Sequence, residues 1–120
     1  MALVPTGWNT GVRTSPWGVD WAQINVTGGT VAGAPVQRQL FSNAGDGLHR
    51  WMPSLAVDKD GNMAVGYSVS NTGVNPSIRY SGRFAGDALN SLPQTETVLV
   101  AGGGSQSGNC GGSTCLRWGD

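Results

Sequence analysis

A short segment in the middle of the chain carries side chains from which a hydrolytic site could be built. It contains Asp46, the only histidine, His49, and then Arg50 and Trp51. An imidazole can bind a divalent metal such as zinc while a carboxylate binds the same metal or orients the imidazole. A metal with an open position polarises an ester or phosphoester and activates a bound water. The segment therefore predicts Asp46, His49 and Arg50 as catalytic residues and His49 with Asp46 as metal ligands.

The same residues also have structural interpretations. A lone histidine is more often a surface or hydrogen-bonded residue than a ligand, and Arg50 can stack on the neighbouring Trp51. One imidazole is also too few for a zinc site. Three or four copies of His49 around a symmetry axis would supply enough ligands, so the metal prediction depends on self-association.

Alternating polar and apolar residues predict six β-strands and no helix to position these side chains. The predicted strands are 18–26, 35–42, 51–58, 63–70, 76–83 and 95–101. The turn Asp58-Lys59-Asp60-Gly61-Asn62 joins two of them into a hairpin, with Asp and Asn capping backbone amides. The last four strands form an antiparallel meander, in which Leu55, Val57, Val65, Tyr67, Ile78 and Val98 are predicted to be buried.

The composition restricts the classes of partner. The chain has 120 residues, 20 of them glycine, and seven basic side chains balance seven acidic ones. It therefore presents no net field for nucleic acid or an anionic membrane, and no apolar run reaches the length of a membrane span. Residues 1–5 lack the features of a signal peptide. Cys110 and Cys115 enclose four small residues, and a disulfide and free thiols both remain open.

An Arg-Trp pair occurs twice, at Arg50-Trp51 and at Arg117-Trp118. One four-stranded unit with its entry loop lies between the two copies. Four strands per repeat are typical of a propeller blade, which buries its faces only by stacking on neighbours. The alternative is a six-stranded sandwich or barrel in which the second Arg-Trp pair is a coincidence.

The segment 51–70, followed by 75–80 and the final Arg117-Trp118-Gly119-Asp120, resembles bacterial secreted proteins of the sialidase-like, Asp-box β-propeller type. The resemblance implies an outer half-blade at 17–42, a complete blade at 51–101 and a lead-in to the next blade at 103–120. A piece of about one and a half blades exposes apolar blade faces. We therefore expect a closed homo-oligomer of three or four chains, with a pocket on its axis.

The resemblance also implies a way to bind a substrate. Sialidase-type sites use several arginines, a Tyr nucleophile paired with a Glu, and an acid. Arg79, Tyr67, Trp51 and Arg117 are accordingly predicted to bind substrate, with Tyr80 as the other tyrosine of the right type. True sialidase activity is not expected, because the only Glu, Glu96, falls on an outer strand and the arginine motif of a first sialidase blade is absent.

Three functions follow from these patterns. The first is a hydrolase of small activated esters or phosphoesters, acting at an axial pocket shared between chains, with or without a divalent metal. The second is a non-catalytic module that binds a carbohydrate or another small ligand, with Trp8, Trp17 or Trp21 as stacking surfaces. The third is a blade fragment without a function of its own.

Overall fold

The chain folds into antiparallel β-sheets, as seen in a computed structural model that describes residues 2–3, 16–105, 108–110 and 113–115. Strands β1 to β3 form a three-stranded sheet, β4 to β7 a four-stranded sheet in chain order, and β8 and β9 a hairpin. The strands are β1 Ala2–Leu3, β2 Val19–Gln23, β3 Gln37–Phe41, β4 His49–Val57, β5 Met63–Ser70, β6 Ser77–Arg83, β7 Thr97–Val100, β8 Gly108–Cys110 and β9 Ser113–Cys115. The predicted all-β, antiparallel class is confirmed.

All six predicted strands are present, and both ends of each lie within three residues of the predicted positions. The strand predicted at 18–26 ends early, at Gln23, because the backbone turns at residues 27–29, where Gly28 and Gly29 have positive φ angles. The short strands β1, β8 and β9 were not predicted. Across the described residues the only helical segments are two 3-10 turns, at Thr27–Gly29 and Ala44–Asp46, and no helix is long and apolar enough to cross a membrane.

The turn between β4 and β5 has the predicted chemistry. Oδ1 of Asp58 accepts hydrogen bonds from the backbone N–H groups of Asp60 and Asn62, each at 2.9 Å, and Oδ2 accepts one from Asn62 Nδ2 at 2.8 Å. Gly61 has a φ of 85°, which favours glycine. These contacts hold β4 and β5 in register.

A β-bulge in β4 determines which side chains share a face of the four-stranded sheet. The register shifts between Trp51 and Ser54, and Met52 has a left-handed φ of 49°. Arg50 and Leu55 are five positions apart, so a regular strand would place them on opposite faces. The extra residue instead lets both face the three-stranded sheet; this is the inner face.

The core lies between the inner face and the three-stranded sheet. Its buried members are Val19, Trp21, Met63, Val65, Tyr67, Val69 and Leu92, and Phe41 and Leu55 pack against them. Burial of Val65 and Tyr67 is therefore confirmed and Leu55 is half-buried. Val57, Ile78 and Val98 are exposed in the single chain, so the burial predicted for them within or between blades is not formed by one chain alone. Val57 adjoins the exposed turn, Ile78 lies on the opposite, outer face, and Val98 is on the edge strand.

Candidate functional sites

The alternation of β4 divides the predicted catalytic residues between two places. His49 pairs with Ser70 and Arg50 with Val69, so their side chains leave β4 on opposite faces. Arg50 is 2% exposed and faces inward, whereas His49 is half-buried and faces outward with Trp51. A single site containing both His49 and Arg50, as predicted, is not formed within one chain.

On the inner side, Arg50 belongs to a cluster of ionic and phenolic side chains, here called the charged cluster: Asp46, Arg50, Tyr67, Arg79 and Glu96. Arg50 Nη2 donates to Asp46 Oδ2 at 2.6 Å, and Arg50 Nε donates to Glu96 Oε2 at 2.8 Å. Arg79 Nη1 donates to Glu96 Oε1 at 2.6 Å, and the Tyr67 hydroxyl donates to Glu96 Oε2 at 2.7 Å. Glu96 thus joins three side chains that lie on three different strands.

The charged cluster balances its own charge. Two carboxylates face two guanidinium groups, and Arg50 also donates to the Leu48 carbonyl at 3.3 Å and packs 5.6 Å from the centre of the Phe41 ring. Burial disfavours the charge on Arg50, but the hydrogen bonds to Asp46 and Glu96 outweigh it and raise the pKa of Arg50. The guanidinium of Arg50 is therefore used by the protein itself.

The other pKa shifts in the charged cluster have the same origin. Burial works against ionisation of Glu96, yet hydrogen bonds from Arg50, Tyr67 and Arg79 lower its pKa below the usual value. The hydrogen bond to Arg50 lowers the pKa of Asp46. Burial, followed by the contact with the Glu96 carboxylate, raises the pKa of Tyr67. At neutral pH the carboxylates are ionised and the phenol keeps its proton.

Sequence reasoning missed the position of Glu96. The predicted outer strand is β7, the edge strand of the sheet, and Glu96 directly precedes it. From this position Glu96 is half-buried against Arg50 and Arg79, a contact that the prediction did not include. The sequence contained one usable signal: Arg50 adjoins one predicted strand and Arg79 lies in another of the same sheet, and the chain has only seven acidic residues with which inward-facing arginines could pair. The objection to a Tyr–Glu pair on grounds of position was therefore wrong.

On the outer side, His49 lies in a second site, here called the aromatic pocket: Trp17, His49, Trp51 and Ser70. The pocket has a volume of about 320 Å³. The Trp17 ring is 52% exposed and meets the His49 ring edge-on, with centroids 5.9 Å apart. Trp51 Nε1 donates to Ser70 Oγ at 3.2 Å. Two indoles, an imidazole and a hydroxyl therefore line one open concavity.

Main-chain contacts fix the aromatic pocket at one end of the four-stranded sheet. The Trp17 backbone N–H donates to His49 Nδ1 at 3.2 Å, and the Arg50 N–H donates to the Trp17 carbonyl at 2.9 Å. In neutral His49 the ring proton then lies on Nε2, which is a donor. The loop before β4 meets the loop after β5, where Asn71 Nδ2 donates to the Gly47 carbonyl at 3.4 Å.

The remaining predicted site residues have different positions. Trp21 is fully buried and donates to Gln39 Oε1 at 3.2 Å, so it belongs to the core and offers no stacking surface. Trp8 and Arg117 lie outside the described residues. No three His, Cys, Asp or Glu side chains among residues 16–105 could hold one metal ion. The structure places Asp46 against Arg50 and His49 against Trp17, so a metal at His49 stays a prediction that requires several chains.

Comparisons with known proteins add no assignment to this geometry. Nothing among the family models, the curated proteins or the solved structures matches the chain.

Proposed function

We propose that the chain is a binding module whose aromatic pocket holds a small ligand of the carbohydrate class. The observation that carries this proposal is the convergence of Trp17, His49, Trp51 and Ser70 around one open concavity of about 320 Å³. Indole rings bind the apolar face of a ring-shaped ligand, while donors at the edge bind its hydroxyl groups.

The polar groups of the aromatic pocket fit this ligand class. His49 Nε2 is a donor in the neutral ring, since Nδ1 accepts from Trp17. Ser70 accepts from Trp51 through Oγ, and none of the described residues accepts a hydrogen bond from its hydroxyl group. None of the four residues that line the pocket is an aspartate, a glutamate, a lysine or an arginine. A neutral, hydroxyl-rich ligand is therefore favoured over an anion.

Calorimetric titration with methyl glycosides and short oligosaccharides tests this proposal. The unmodified chain is expected to bind at least one of them, and Trp17→Ala should weaken binding by about tenfold or more. Phe84→Ala is the matched control, because Phe84 is an exposed aromatic residue that does not line the pocket. Equal affinity in Trp17→Ala and the unmodified chain would contradict the proposal.

We further propose that the four-stranded sheet is a propeller blade that packs against another copy of the chain. The three-stranded sheet covers its inner face, whereas its outer face presents the exposed apolar residues Ile78, Tyr80 and Val100. Small residues such as Ala64 and Gly66 lie beside them on the same face, which leaves room for a second sheet. A closed ring of three or four chains would bury this surface.

Sedimentation at micromolar concentration tests the assembly. Tyr80→Lys should shift the protein towards the monomer, because a charge on the outer face must be desolvated on stacking. Val31→Lys is the matched control, since Val31 is exposed on the loop between β2 and β3. A folded monomer in the unmodified chain would refute the ring.

Hydrolysis of small activated esters is a second candidate function, favoured by the 2.7 Å contact between the Tyr67 hydroxyl and Glu96. It requires the inner face to open to the substrate, because Tyr67 is 2% exposed. Glu96 would accept the phenol proton as Tyr67 Oη attacks the ester carbonyl carbon, and would return it to the leaving alcohol. Water would then cleave the acyl-tyrosine. Arg79, whose buried Nε has no hydrogen-bond partner in the described part of the chain, would face the developing oxyanion.

Turnover of nitrophenyl acetate separates this candidate from simple binding. Tyr67→Phe should abolish hydrolysis, while Tyr80→Phe, on the exposed face, should leave it unchanged. His49→Ala tests the catalytic role predicted for His49, and a chelator tests whether a divalent metal takes part. Activity that survives in Tyr67→Phe would exclude the phenol as nucleophile.

A further inference from the structure

Another concavity lies at the end of the four-stranded sheet opposite the aromatic pocket, beside the turn between β4 and β5. It has a volume of about 460 Å³, and its wall includes Met63, Arg83, Phe84 and Thr95. None of these residues belongs to the charged cluster or to the aromatic pocket. The concavity, here called the Arg83 pocket, is therefore distinct from both of those sites, and it shares Ala64 and Tyr80 with the outer face.

Arg83 is buried and incompletely satisfied. It is 5% exposed, and Nη2 donates to the Asp87 carbonyl at 2.6 Å. Among the described residues, its buried Nε has no hydrogen-bond partner and no carboxylate lies within 4.0 Å of its guanidinium. Arg50, by contrast, is equally buried but contacts two carboxylates. A buried guanidinium without an ion-pair partner is costly, so its persistence calls for a compensating anion.

The nearby carboxylates are already used in other hydrogen bonds. Asp87 Oδ2 accepts from the Phe84 N–H at 2.7 Å and from Gln94 Nε2 at 2.9 Å. Asp58, which also lines the Arg83 pocket, holds the turn through both oxygens. Asp87 attracts Arg83 only at longer range. No carboxylate of the described residues therefore satisfies the buried guanidinium of Arg83.

We propose that the Arg83 pocket binds small monocarboxylates with an apolar body. A carboxylate matches the planar fork of a guanidinium, which can donate two parallel hydrogen bonds to it. Phe84, which is 58% exposed, and Val57, which is 46% exposed, provide an apolar wall for the body of the ligand. Asp58 opposes a second negative charge, so a monocarboxylate binds in preference to a dicarboxylate.

Benzoate is a suitable probe, followed by ¹⁵N NMR of the full chain. Benzoate is expected to shift the Nε–H signal of Arg83 with a Kd on the order of 1 mM, while benzamide, its neutral analogue, and benzylamine, its cationic one, bind at least about tenfold more weakly. Equal binding of the three probes, no shift up to about 10 mM benzoate, or shifts confined to other arginines would each overturn the proposal.

Variants then identify the groups responsible. Arg83→Met should reduce benzoate affinity at least about tenfold, whereas Lys59→Met, which removes an exposed cation from the neighbouring turn, should leave it unchanged. If Arg83→Met does not fold, Phe84→Ala provides the decision, because Phe84 is exposed and its loss should weaken benzoate binding about threefold or more. Unchanged affinity in Phe84→Ala, or an equal loss in Lys59→Met, would contradict the site.

Discussion

The charged cluster and the aromatic pocket begin at adjacent residues of β4 and have opposite physical properties. Arg50 turns inward and reaches two carboxylates, whereas His49 and Trp51 turn outward to an open concavity. In the charged cluster nearly every donor and acceptor finds a partner within the chain. In the aromatic pocket, exposed ring surface and at least two donors are available to something else.

This difference separates stability from recognition. A buried ion pair is strongly destabilised when one member is removed, because the other charge remains buried without compensation. An exposed aromatic ring contributes little to folding but can contribute much to binding. We therefore expect substitutions in the charged cluster to act on stability and substitutions in the aromatic pocket to act on ligand affinity.

The largest expected effect is that of Arg50→Ala. Loss of the guanidinium leaves Asp46 and Glu96 without their shared partner and should destabilise the fold by about 3–5 kcal/mol. Urea unfolding followed by circular dichroism measures this loss. Lys59→Ala is the control, because its exposed pair with Asp60 is worth about 1 kcal/mol or less. Equal losses in both variants would show that the charged cluster is not a stabilising unit.

The next largest loss of stability is expected at low pH, where the charged cluster is weakened. Glu96 has a folded pKa below its usual value of about 4.3, so it contributes stability above that pH, and the contribution is lost as pH falls through the folded pKa. The slope from Glu96 is at most about 1.4 kcal/mol per pH unit. Urea unfolding at several pH values should show a shallower acid loss in Glu96→Gln. An unchanged slope would mean that the carboxylate does not hold its arginines in solution.

Tyr67→Phe removes one hydrogen bond and leaves the ring in the core. The hydroxyl donates to an ionised carboxylate, so its loss should cost about 1.5 kcal/mol or somewhat more. Thermal unfolding at pH 7 checks this value, with Tyr80→Phe as the control on the exposed face. If Tyr67→Phe loses no more stability than Tyr80→Phe, the hydrogen bond between Tyr67 and Glu96 does not stabilise the fold.

Substitutions at the β-bulge, which determines the inner face, are expected to change stability less. Met52 has a left-handed φ of 49°, which β-branched residues adopt poorly. Met52→Val should therefore destabilise the fold by about 1–2 kcal/mol, while Met52→Gly should be neutral or slightly stabilising. Denaturant unfolding compares the two variants. The reverse order would indicate that the bulge is absent in solution.

The sequence predicted the strands better than the sites. Alternation and turn residues located all six long strands, because both signals act over a few neighbouring residues. The division of His49 from Arg50 also follows from strand alternation, once β4 is known to begin at His49 and not at 51. That two-residue difference in the start of one strand was enough to misplace the site.

Other features depended on contacts that no local pattern contains. Glu96 meets Arg50 across 46 positions of sequence, and Trp17 meets His49 across 32. The bulge at Met52 could not be predicted from a glycine, because methionine occupies the left-handed position. Long-range pairs and a strained residue of this kind become visible only when the strands are placed side by side.

The smallest expected effect on stability, and the most informative about function, is that of Trp17→Ala. The Trp17 ring is half-exposed, and the main-chain contacts from residue 17 to His49 and Arg50 do not require it. Denaturant unfolding should therefore change by only about 0.5 kcal/mol, although the indole forms one wall of the aromatic pocket. Benzoate binding at the far end of the sheet should stay the same, while glycoside affinity falls. A loss of stability comparable to that in Arg50→Ala would show that Trp17 serves the fold, and the contrast between the two sites would then disappear.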